Sequence, residues 1–279
     1  MIAHAFEEKR HYDDPDFPVS GWQGFDMSYM AHWHPEIELI LTETGSLVLG
    51  VNQERMTLLP GDLAVLGSRD IHYYESVKGT CTYSILIFSP ELVNCPSHWP
   101  LKSDLTKAVL GSGILRDEMI APLIKETISE LKRQNPLFKE LVRGNLQRIC
   151  ALLERELGTP KKTVISGRDP VRQRMRQTLE FIHQQYRNPL RLEDAAALAA
   201  MSPSHFSRVF SGFMGENFSA YVNNVRLEKI LPRLEANDES ILAIALDSGF
   251  VSLRTFNRVF KNHFGQSPRS WRQSRAKRP

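Results

Sequence analysis

Phe206-Ser207-Arg208-Val209-Phe210 recurs fifty residues later as Phe256-Asn257-Arg258-Val259-Phe260. Gly215 and Tyr221 map onto Gly265 and Trp271 at the same offset. Upstream, Leu192, Ala196 and Ala200 align with Ile241, Ala245 and Gly249 at an offset of 49, so the second copy has one extra residue in its turn. Each copy reads as a short helix, a tight turn and a longer helix, that is, two helix-turn-helix units over about 192–214 and 241–264. Ala196 and Ala245 let the paired helices cross closely, and Ala200 and Gly249 stand where the turn needs little or no side chain. In the longer helices Phe206, Val209, Phe210 and Phe213, then Phe256, Val259, Phe260 and Phe264, form an apolar face. The opposite faces carry Ser204, Ser207, Arg208 and Ser211 in copy one, and Leu253, Arg254, Asn257, Arg258 and Lys261 in copy two. Ser202-Pro203 and Ser252 read as helix starts, and Ser267-Pro268 opens a last helix. Arginine pairs bidentately with guanine and asparagine with adenine in the major groove. A solvated face would explain one such helix; two at fixed spacing favour base reading.

Charge supports a polyanionic partner for this half alone. Residues 171–279 hold 17 Lys/Arg against 9 Asp/Glu, whereas the chain as a whole carries a formal charge of only +3. Its 279 residues suit about two domains. No apolar run reaches the ~20 residues of a membrane helix, and the first residues show no secretory signal. Cys81, Cys95 and Cys150 are an odd, scattered set that reads as reduced thiols in a cytoplasmic protein.

The N-terminal half changes period. Residues 36–42, 45–51, 62–66 and 81–88 are short apolar strands bounded by Gly, Pro, Asn or Asp, as in a β-sandwich or barrel. Asn52-Gln53 reads as a hairpin tip and Pro60-Gly61-Asp62 as a tight turn. From about 103 to 157 the period is helical: one helix over 118–133, then a longer one whose Leu137, Leu141, Leu146, Ile149, Leu152 and Leu153 form a stripe. Such a pair covers a sheet or forms a dimer seam. Residues 158–170 read as a linker, and everything from 171 onward as helical. The expected fold is therefore multi-domain: a β-sandwich or barrel with a helical hairpin over 1–157, then an all-α domain.

Residues 171–279 resemble the DNA-binding domain of the AraC/XylS family of transcription regulators. The matching segments are Met201–Phe210, Ile244–Phe250 and Phe256–Pro268. The resemblance implies two helix-turn-helix units joined by a central helix, here about 219–231, entering successive major grooves on one DNA face. Two positions depart from the pattern: Ala200 replaces the usual turn glycine, and Leu253 is apolar where DNA contact is expected, suiting a thymine methyl. Lys261 and Arg269, farther along, suit phosphates. RNA polymerase is a further partner that the family implies.

His32-Trp33-His34, Glu38 and Gly45, followed by Pro60-Gly61 and His72, resemble the two motifs of a small cupin domain common in this family. On one extended strand His32, His34 and Glu38 point the same way; His72 adds a third nitrogen. Three nitrogens and one oxygen suit Zn, Fe, Mn or Ni. The same polar side chains also suit a metal-free effector pocket, or one another in a structural cluster. Trp33 and Phe88 read as packing residues. The expected function is an effector-controlled regulator that needs no cofactor. It is expected to bind double-stranded DNA as a homodimer and to activate transcription, with a sugar as the small-molecule effector. The alternatives are a cupin metalloenzyme or metal sensor fused to a DNA-binding domain, and a ligand-blind adaptor.

Overall fold

The computed structural model describes residues 12, 14–76, 81–93, 109–110, 119–157, 170–236 and 239–276. The chain divides into two compact units between Gln173 and Arg174.

In the N-terminal unit, β1 (Val19–Phe25), β2 (Tyr29–His32), β3 (Ile37–Thr44), β4 (Leu47–Val51) and β5 (Glu54–Leu58) are followed by β6 (Leu63–Leu66), β7 (His72–Ser76), β8 (Thr82–Phe88) and β9 (Val109–Leu110). They form two sheets, ordered β1-β8-β3-β6-β9 and β2-β7-β4-β5, with antiparallel pairing throughout. The expected sandwich is present, including the β4–β5 turn at Asn52, whose φ is 54°. β9 corrects the expectation of helix from residue 103, because Val109 and Leu110 pair with β6.

Within the five-stranded sheet β3 and β8 are buried on both faces over most of their length, which is why 39–41 and 85–88 read as continuous apolar runs. Ile37, Leu39 and Leu41 of β3 pack toward α1 (Ile120–Arg133) and α2 (Phe138–Leu157), while Ile40 packs between the sheets with Leu47, Leu49 and Ile85. Phe88 joins the helix-side layer and Trp33 is also buried. α1 ends where Gln134 turns left-handed at φ 50°, just before Asn135-Pro136. The α2 stripe is largely consumed inside the chain: Leu146, Ile149 and Leu153 are fully buried against the sheet, leaving Leu137 and Leu141 exposed. The stripe expected as a dimer seam is thus mainly a sheet-covering face.

The C-terminal helices are α3 (Pro170–Gln185), α4 (Leu192–Leu198), α5 (Pro203–Met214), α6 (Phe218–Ala236), α7 (Ile241–Asp247), α8 (Leu253–Phe264) and α9 (Pro268–Ala276). The repeat governs their packing. Phe210 meets Tyr221 edge-on at 5.6 Å, and Phe260 meets Trp271 in the same way at 6.1 Å. Both long helices end on a left-handed glycine, Gly215 and Gly265, with φ of 72° and 71°. The central helix α6 runs past the expected 231, continuing through Pro232. The linker expected at 158–170 lies outside the described residues apart from Pro170, which begins α3.

Candidate functional site

In the N-terminal unit His32, His34, Glu38 and His72 come together, each about 98% buried or more, with one ligand atom from each within 4.8 Å of all the others. The convergence has a different origin from strand alternation. Pro35 ends the extended run, so His32 closes β2, His34 sits in the corner, and Glu38 projects from β3 in the opposite sheet. His72 lies directly across from His32 in the β2–β7 ladder.

Glu38 is the hub. Its Oε2 lies 2.9 Å from His34 Nε2 and 3.3 Å from His72 Nε2, and its Oε1 accepts from the Tyr74 hydroxyl at 2.9 Å. Burial pushes the Glu38 carboxyl upward, but the hydrogen bond from His34 and the close approach of His72 outweigh it and hold the group well below the usual range. Burial, with the neighbouring rings of His72 and His34, drives His32 well below the ordinary imidazole value, so it is neutral. His34 Nδ1 lies 3.4 Å from Glu36. Burial raises the Glu36 carboxyl, yet the bond to His34 brings it below its ordinary value. Sequence reasoning missed Tyr74 and Glu36. Tyr74 carried a signal, because two residues beyond His72 on one strand puts it on the same face.

The donors fit a divalent metal. Nδ1 of His32 and of His72 each lie 2.9 Å from a backbone carbonyl, of Met30 and Asp70. A carbonyl only accepts, so Nδ1 carries the proton and Nε2 keeps its lone pair. Bonds of ~2.0–2.2 Å place tetrahedral ligands ~3.5 Å apart, so the set has to contract by about an ångström. The rings of His32, His34 and His72 are closely set, with centroids 4.2 to 5.9 Å apart.

In the C-terminal unit α5 and α8 are capped as expected. Ser202 Oγ accepts from the His205 N–H and Ser252 Oγ from the Thr255 N–H. Equivalent positions pair Ser204 with Arg254, Ser207 with Asn257, Arg208 with Arg258 and Ser211 with Lys261. Ser204, Arg208, Arg254, Asn257, Arg258 and Lys261 are exposed, as is Arg269 on α9, while Ser207 is partly buried. Leu253, expected on the DNA-facing side, is partly buried and packs against the Phe256–Phe260 core.

Known proteins match both units. The model of the AraC-like ligand binding domain covers residues 22–149, and that of a helix-turn-helix domain covers residues 195–274. The melibiose operon regulatory protein of Escherichia coli strain K12 is 25% identical over 261 residues, 87% of this chain and 83% of its own. The HTH-type transcriptional activator RhaS of Klebsiella pneumoniae strain 342 is 23% identical over 264 residues, 89% of each chain. Among solved structures, ToxT from Vibrio cholerae O395 aligns with a TM-score of 0.41 and 11% identity over 95% of this chain and 100% of its own. With a ligand-binding β unit followed by a paired helix-turn-helix unit, both matched by the corresponding models, this chain belongs to the AraC family of transcription regulators.

Proposed function

We propose that the chain binds double-stranded DNA through α5 and α8 in successive major grooves and responds to a small molecule held by its N-terminal unit. The observation that carries this reading is the duplicated, serine-capped helix whose exposed face repeats arginine at 208 and 258. Relatives named as regulators favour a regulatory role over an enzymatic one, the name activator favours activation through RNA polymerase, and the melibiose operon favours a sugar effector. We further propose a cytoplasmic homodimer. No helix among the described residues is long and apolar enough to cross a membrane.

Selection of bound sequences from randomised DNA tests the reading. Two recognised blocks ~10 base pairs apart are expected. Arg208→Ala and Arg258→Ala should each relax one block at a cost of ~1–3 kcal/mol. A wild type that selects no motif refutes it.

The tautomers of His32 and His72 favour a second, compatible reading: His32, His34, Glu38 and His72 hold a divalent metal. Metal analysis and melting with and without chelator check it. A cation present at 100 Kd adds about 2.7 kcal/mol, and Glu38→Gln should remove that increment. Melting that is unmoved by Zn, Fe, Mn and Ni refutes a metal site.

A further inference from the structure

Alongside β1, the end strand of the five-stranded sheet, lies a cavity of about 580 Å³, within the range of small-molecule sites. It is distinct from the histidine cluster, none of whose four residues lines it. Phe17, Trp22 and Phe138 supply aromatic walls; Trp22 keeps 38% of its surface exposed, and the Phe17 and Phe138 rings meet edge to face at 6.1 Å. Two ammonium groups, Lys132 and Lys139, also line it. One of them already holds a carboxylate: Lys139 pairs with Asp14, both side chains about two-fifths exposed. The Ser20 hydroxyl, in the same lining, is buried without a hydrogen-bond partner among the described residues.

We propose that this cavity binds a small monocarboxylate with a flat apolar body, its carboxylate taking the place of Asp14 on Lys139. An exposed ion pair is weak in water because both ions remain hydrated, so exchanging one carboxylate for another at Lys139 costs little. The apolar body meanwhile leaves water for the aromatic walls, and that burial drives binding. Lys132 leaves the lining with an excess of positive charge, which selects an anion over a neutral molecule of the same shape. The inference rests on the reading of the N-terminal unit as the sensor and gives that reading a place and a ligand class.

Calorimetry on the full chain, with phenylacetate, phenylacetamide and melibiose as probes, tests it. Phenylacetate should bind at least about tenfold more tightly than its amide. Lys139→Met should remove that preference, whereas a purely structural role would weaken both probes alike. Asp14→Asn should strengthen phenylacetate binding several-fold by removing the internal competitor. Lys125→Met, which removes a charge from α1 outside the lining, should change nothing; circular dichroism confirms that each variant is folded. No phenylacetate binding by the wild type, tighter melibiose binding that is insensitive to Lys139, or weaker binding in Asp14→Asn overturns the proposal. DNA affinity is measured separately. Phenylacetate that binds as expected without altering DNA affinity upholds the site and refutes its role as the sensor.

Discussion

The turns of the two helix-turn-helix units share a left-handed residue but differ in its side chain. Ala200 has φ 52° and Gly249 φ 87°, both left-handed. At 249 a Cβ would stand 2.6 Å from the Tyr186 carbonyl oxygen and 2.7 Å from that of Arg187, atoms that cannot swing away. Gly249→Ala therefore adds a backbone clash to the left-handed strain, and a loss of more than ~2 kcal/mol is expected in urea melts. Ala200→Gly relieves strain of ~1–2 kcal/mol but frees the unfolded chain by ~0.4–1 kcal/mol. It should be neutral or stabilising by up to ~1.6 kcal/mol. The departure from the family pattern at 200 is thus tolerated, whereas its counterpart at 249 is fixed by the oxygens beside it.

Between elements, a single side chain ties three segments together. Arg226 of α6 is 8% exposed and donates through Nε to the Tyr186 carbonyl at 2.8 Å and through its terminal nitrogen to the Asn188 carbonyl at 3.0 Å. It also lies 5.8 Å from the Phe250 ring centroid, next to the second turn. Burial lowers its guanidinium from the usual value, and the carbonyls beyond the end of α3 keep the charge satisfied. Arg226→Met retains the bulk but takes the charged donor from two partly buried carbonyl contacts, so a loss of roughly 1–3 kcal/mol is expected. If the chain still folds, selection from randomised DNA should show the spacing of its two blocks broadened, because the link between copies has loosened.

At the scale of the molecule, the second long helix of the N-terminal unit serves two surfaces. Leu146 is fully buried on the sheet, and Leu141 is 48% exposed. Leu146→Asp puts an unpaired carboxylate into the core and should cost more than ~4 kcal/mol, abolishing the cooperative melt. Leu141→Asp should leave the melt within ~1 kcal/mol, and in the proposed homodimer it should shift sedimentation from dimer to monomer. A Leu141→Asp chain that still sediments as a dimer places the seam elsewhere.

The all-α half was legible in the sequence because its information is local and written twice. Helix period, serine caps and C-terminal glycines lie within a dozen residues of what they control, and a second copy at offset 50 checks the first. The sandwich was legible as strands bounded by turns, and His32, His34, Glu38 and His72 as one set of three nitrogens and an oxygen. What brings those four together was not legible. Pairing of His32 with His72 is a long-range ladder contact, and Glu38 reaches them from the other sheet across the gap between layers. Nor could period 3.6 say which Leu of 137–153 faces the sheet and which faces water, since one stripe can serve either. The packing of Leu253 was hidden for the same reason, as exposure is settled by the neighbouring core. Sequence alone thus determined elements, caps and residue types, which depend on near neighbours along the chain. Only the tertiary structure decided burial, partners and cavity, because these depend on segments that the backbone brings together from far apart.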